Sequence, residues 1–186
     1  MEKDPKQALT DAEALPLTPS RDIGLSPRLD ALIKVARATR QKHPEIAKSA
    51  LDVSRKNLED MDPLQRGYFL MEISDLYVQM DRPDDARKTL QESMKTAEKL
   101  YAQDADANDP NLAFKGVWPS AGLWWKCVQS AASISPDLPE QLIAEIPDAE
   151  IATYERVAWA NSLLGRREPP ELAQQHKSGG ASMVSF

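Results

Sequence analysis

Glycine is scarce in this chain, with 7 residues among 186, and cysteine occurs once. A lone cysteine rules out an intrachain disulfide, and the apolar neighbours of Cys127 suggest a small buried hydrophobe. Strand signals are missing too. The β-branched residues are scattered singly, and no alternating run of Val, Ile, Thr or aromatic residues is present. The opening MEKDPKQALTDAEALPLTPS is acidic and has no apolar run, so it reads as neither a signal peptide nor a membrane span. There is no Gly-rich phosphate loop, metal-spaced Cys/His cluster, HExxH helix or GxSxG elbow. Catalysis by Cys127 would need a base. The only histidines, His43 and His176, stand beside a turn proline and in a polar tail. These absences lead to the expectation of a non-enzyme with no catalytic residue, metal or cofactor. The cytoplasm is the expected compartment, with an exported chain that has lost its leader as the second reading.

The net charge of −6 argues against a general nucleic-acid binder, which needs a concentrated basic face. Charge is nevertheless unevenly spread. Arg28, Lys34, Arg37, Arg40, Lys42, Lys48, Arg55 and Lys56 outnumber the acids between Arg28 and Leu58, and the segment Glu59–Asp109 is acidic. Two solvated helical faces of opposite sign account for this more simply than an electrostatic docking patch.

What the chain does contain is helical periodicity punctuated by 14 prolines. Ser26 is a natural N-cap with Pro27 in the first turn, and Leu29, Leu32, Ile33 and Ala36 form an i, i+3, i+4, i+7 stripe. His43-Pro44 stops this helix and starts another carrying Ala47, Ala50, Leu51, Ser54 and Leu58. A third follows Asp62-Pro63 with Phe69, Leu70, Ile73, Tyr77 and Met80. The turn Asp81-Arg82-Pro83-Asp84 leads to a fourth with Ala86, Leu90, Ser93, Ala97 and Leu100. A fifth runs from about Pro119 to Ile134, then the short PEQLIAEI, then PDAEIATYERVAWANSLLG with Gly165 as its C-cap. Residues 1–27 read as an extended, disordered segment with at most one helical turn around Gln7–Ala14. Residues 28–165 form the helical domain, and 166–186 a flexible tail.

Two helix pairs overlay. PEIAKSALDVS from Pro44 matches PDDARKTLQES from Pro83: Pro44 with Pro83, Ala47 with Ala86, Lys48 with Arg87, Leu51 with Leu90 and Ser54 with Ser93. The second pair resembles a tetratricopeptide-type hairpin. Leu70, Ile73 and Tyr77 take the large places of its first helix, and Ala86, Leu90 and Ser93 the small, large and small places of its second. It departs from that family at Ser74, where glycine is common, and in an offset longer than the usual ~34 residues. The first pair has Ala38 in place of the tyrosine, and the helices after Ala113 match only in being helical. The resemblance implies an all-α array of antiparallel helix hairpins, about seven helices stacked as a right-handed solenoid, in a family that mostly holds proteins or peptides. A bundle with no superhelix is the structural alternative.

The segment YAQDADANDPNLAFKGVWPSAGLWWK sets acids beside tryptophans. Asp104, Asp106 and Asn108 alternate like calcium ligands. However, the sixth place is Asp109 rather than glycine and the twelfth is Lys115 rather than glutamate, so a calcium loop is not expected. The segment reads as an acidic connector followed by a tryptophan-rich packing helix. Trp124 and Trp125 point about 100° apart, so burying both needs neighbours on two sides. Asp84-Asp85 reads as a cap, and Glu155 with Arg156 as an exposed ion pair rather than an acid–base couple. The functional expectation is a non-catalytic interaction or scaffold module for a protein or peptide, with no nucleic-acid or membrane partner. Lys34, Arg37, Arg40, Tyr77 and Trp125 are its candidate partner-binding residues. The second reading is a building block of a larger oligomer or longer solenoid, and an enzyme of unfamiliar type comes third.

Overall fold

The computed structural model describes residues 4–17, 26–59, 61–107 and 114–164. Among them there is no strand. The α-helices are α1 (Pro5–Glu13), α2 (Pro27–Thr39), α3 (Pro44–Lys56), α4 (Pro63–Gln79), α5 (Pro83–Ala107), α6 (Pro119–Ala131), α7 (Leu138–Glu145) and α8 (Ala149–Leu163), with a 3-10 turn at Lys115–Val117. The all-α expectation holds, and α2 to α8 are the seven helices read from the sequence. Six of the eight helices among the described residues begin at a proline. Proline serves there because the first helical N–H has no intrahelical acceptor and the ring presets φ. Ser26 caps α2 as expected, its Oγ accepting from the Leu29 N–H at 3.4 Å.

The N-terminal segment differs from its expected extended form. Residues Pro5–Glu13 make the nine-residue α1, with Asp4 Oδ1 accepting from the Lys6 N–H at 3.0 Å. So short a helix is marginal alone. Here it packs on α2 and α3 and buries Ala12, and Arg28 Nε donates to the Leu15 carbonyl at 2.7 Å. Gly165 and the tail 166–186 lie outside the described residues.

The chain divides into two compact units, Met1–Ser93 and Met94–Phe186, the division falling inside α5. In the first unit the paired positions share their environment: Ala47 and Ala86, Leu51 and Leu90, and Ser54 and Ser93 are all 0% exposed. Alanine and serine at these places let helix backbones approach closely. Ser74 Oγ, standing where glycine is common in the family resembled, donates to the Ala86 carbonyl at 3.0 Å, and Ser93 Oγ donates to the Gly67 carbonyl at 3.1 Å. Arg37 pairs with Glu72 and Arg55 with Glu92, so part of the basic excess of α2 and α3 is answered by acids of α4 and α5. Helix α4 ends in a Schellman motif. The Arg82 N–H donates to the Tyr77 carbonyl at 2.9 Å and the Asp81 N–H to Val78 at 3.0 Å, with Asp81 left-handed at φ 57°.

In the second unit α5 runs on to Ala107, so Tyr101 and Asp104 are helical rather than part of a connector. The alanines Ala102, Ala105 and Ala107 favour helix there, and the two polar residues face inward. Asp104 is buried and its Oδ2 accepts from the Ser120 N–H at 2.9 Å, capping α6. The core is built on Trp118, Trp124, Trp125 and Trp159, none more than 8% exposed, with Leu123, Val128, Leu142, Ile143 and Ile151.

Candidate binding groove

The C-terminal half of α2 carries Lys34, Arg37 and Ala38 at spacings of three and one, on one helical stripe, and Gln41 follows in the turn after Thr39. Pro5 and Ala8 of α1 lie across from it. Between them is an open groove of about 490 Å³, completed by Val35, Thr39, Arg40, Lys42 and His43. Its position follows from local structure. Thr39 Oγ1 turns back to the Val35 carbonyl at 2.7 Å, the His43 N–H reaches the Thr39 carbonyl at 2.7 Å, and Pro44 starts α3 immediately afterwards. The chain end of α2 thus crowds Arg40, Lys42 and His43 beside the last turn, where cations also complement the helix dipole.

Of the five candidate partner-binding residues, three meet here. The Lys34 side chain is 70% exposed and its Nζ lies 2.7 Å from Asp30 Oδ2. Arg37 is exposed and pairs with Glu72, while Arg40 Nη1 donates to the Arg37 carbonyl. The small apolar residues Ala8, Val35 and Ala38 line the same groove. The arrangement offers positive charge beside small apolar side chains. It can hold an anionic group non-covalently.

The other two do not reach the surface. Tyr77 is 0% exposed, with its hydroxyl donating to Asp52 Oδ1 at 2.7 Å. Burial pushes the phenol's pKa up, and the Asp52 hydrogen bond and charge push the same way. Burial would also raise Asp52, but hydrogen bonds from Lys48 and Tyr77 outweigh it and hold that carboxyl below its ordinary 3.8. Trp125 is 7% exposed, so Trp124 and Trp125 are both buried and neither indole is left as an anchor. Side-chain position on a helix cannot show which helix face a neighbour will cover, and here both faces of α6 are covered.

The remaining polar candidates are structural. Asp148 joins three elements. Its Oδ2 accepts from Tyr101 Oη and Lys115 Nζ, each at 2.7 Å, and its Oδ1 accepts from the Glu150 and Ile151 N–H groups at 2.9 and 3.1 Å. Burial by itself would raise its pKa. The hydrogen bonds from Lys115, Tyr101 and the Ile151 backbone outweigh burial and bring it from 3.8 to about 2. Asp85 sits in the first turn of α5 and pairs with Arg82 Nε at 2.7 Å. Glu155 is 0% exposed, correcting its reading as an exposed ion pair, while Arg156 Nε lies 3.8 Å from Glu140. Cys127 is buried, as expected for a small hydrophobe. No group of His, Cys, Asp and Glu among the described residues could hold a metal ion, and Asn108 of the calcium-like run lies outside them. None of the described helices is long and apolar enough to cross a membrane.

Sequence reading missed Lys42, His43, Pro5 and Ala8 as parts of the groove. The His43-Pro44 helix break was the available signal for the first two. Nothing in the sequence pairs α1 with α2. Compared with protein-family models, curated proteins and solved structures, the chain has no match.

Proposed function

We propose that this chain is a non-catalytic interaction module, built on tetratricopeptide-like hairpins α2–α3 and α4–α5, that holds a protein or peptide partner in the groove beside α1 and α2. One observation carries the reading. Three cations singled out from the sequence, Lys34, Arg37 and Arg40, line one open concavity together with Lys42, His43 and the small apolar residues Ala8, Val35 and Ala38. The equal burial of Ala47 with Ala86 and Leu51 with Leu90 supports the repeat. A photo-crosslinking residue at exposed Ala38, with one at exposed Val157 as control, tests the module in cells of the source organism. The expected outcome is a discrete adduct from position 38, lost on Lys34→Glu with Lys42→Glu. Adducts absent from position 38, or unchanged by charge reversal, overturn the reading.

A second reading, a building block of an oligomer, draws on α8. Val157 and Leu164, two turns apart, are 56% and 66% exposed, and Leu163 is 67% exposed. Light scattering decides it. A discrete oligomer dispersed by Val157→Lys with Leu164→Lys supports stacking, and a monomer at all concentrations removes it.

A further inference from the structure

We infer that the outer face of α8 is a self-association surface, on which a second copy of this chain lays its own α8 antiparallel, Val157 against Ala160 and Leu164 against Thr153. This rests on the building-block reading and goes further by naming the face, the direction and the register.

Helical geometry defines the face. Thr153, Val157, Ala160 and Leu164 follow at spacings of four, three and four, so at ~100° per residue they fall within about 60° of one another. All four are exposed. Leu164 is the C-cap, yet its N–H still reaches the Ala160 carbonyl at 3.1 Å with φ at −80°, which keeps its side chain in the helical direction. The opposite side buries Ile151, Glu155 and Trp159 where α8 packs on α6 and α7. A helix apolar on both sides is normally covered on both.

The spacing is that of a coiled-coil seam, in which side chains of one helix enter holes on the other. Side-chain size then chooses the direction. In a parallel pair each residue meets its own copy, so Leu164 crowds Leu164 while Ala160 leaves a gap against Ala160. The midpoint between Val157 and Ala160 is also the midpoint between Thr153 and Leu164. A two-fold axis at that point therefore sets the larger Val157 opposite the smaller Ala160, and Leu164 opposite Thr153, at the same time.

Charge chooses the occupant. The four residues carry none, so no like charges meet along the seam. Two chains of net charge −6 repel least through such a contact, and the stripe offers a charged partner no counter-ion. Length limits the strength. Eleven helical steps of ~1.5 Å give about 16 Å, and one helix face of that length buries less than the ~800 Å² per partner of a standard interface. The dimer is therefore weak and concentration-dependent.

The test uses the full 186-residue chain. Analytical ultracentrifugation from about 1 μM to about 1 mM should show monomer passing to dimer. Val157→Lys, which sets an unpaired charge in the seam, should raise the dissociation constant at least about tenfold with circular dichroism unchanged. Disulfide trapping reads the register, and the native Cys127 is buried and does not compete. Thr153→Cys and Leu164→Cys chains, mixed and oxidised, should yield a link between positions 153 and 164 of different chains, located by peptide mapping. Either variant alone should stay unlinked, because its two copies lie about 16 Å apart along the seam, too far for a disulfide. Links between two copies of one position overturn the register and leave the building-block reading standing. A discrete oligomer untouched by Val157→Lys also overturns the inference, the chain then assembling through another surface. A monomer across the whole range, as when a foreign helix covers the face, removes both.

Discussion

The two units fill the spaces between their helices in different ways. Around α2 to α5 in the first unit, small side chains sit at the closest crossings, and Ser74 and Ser93 bond directly to the backbone of the facing helix. Ion pairs such as Arg37 with Glu72 and Arg55 with Glu92 fasten the rims. The second unit keeps all four tryptophans of the chain, and Tyr101 lies 5.6 and 5.7 Å from the Trp118 and Trp124 rings. A close approach needs small residues, and a wider gap needs indoles. Stability in the first unit should therefore be spread over many modest contacts, and in the second concentrated in a few large ones.

The sharpest way to break this contrast is Trp124→Ala, which empties a fully buried site and should cost about 3–5 kcal/mol in urea denaturation. Trp124→Phe should cost far less, because the indole Nε1 has no hydrogen-bond acceptor to lose. Next come Leu51→Ala and Leu90→Ala. Each should cost about 2–5 kcal/mol, and by equal amounts if the two positions are true counterparts. A large inequality would count against the repeat.

The serines should separate where the leucines agree. Ser54 Oγ bonds within its own helix, to the Ala50 carbonyl at 2.8 Å, whereas Ser93 reaches Gly67 in α4. Ser93→Ala should therefore destabilise by about 1 kcal/mol more than Ser54→Ala. For the second unit, acid titration probes Asp148. Its carboxyl is held at about 2 in the folded chain against an ordinary 3.8, so its contribution is fully present above pH 3.8 and is lost as pH falls through about 2. Asp148→Asn should flatten the stability profile in that interval and lower stability above it. Indistinguishable acid profiles would show that the carboxylate is not the anchor of α8. The smallest change is Asp81→Gly, which relieves a left-handed residue at the end of α4 and should stabilise by up to about 1 kcal/mol.

Helix identity was legible because its signals are local. Ser26, Pro27, Pro44, Pro63, Pro83 and Pro119 mark starts through backbone chemistry that each carries alone, and the 3.6-residue apolar period marks the inner face. The misreadings share a cause. Helix α1 has too little apolar pattern to announce itself, and it is supported by packing on α2 and α3. The acidic end of α5 looked like a loop because Asp104 seemed solvated, yet it is buried as the cap of α6. Tyr77 and Trp125 looked available because sequence shows a residue's helix face but not how many neighbours cover it.

The amino-acid order on its own determined the all-helical class, the helix starts, the buried face of α2 and α3 and the matched positions 39 residues apart. The first three arise from interactions within a few residues. Tertiary structure alone decided that α1 lies beside α2, that Lys34, Arg37 and Arg40 share a groove with Lys42 and His43, and that both adjacent indoles of α6 are covered. Those outcomes depend on contacts between segments distant along the chain, whose partners are chosen by shape and burial together.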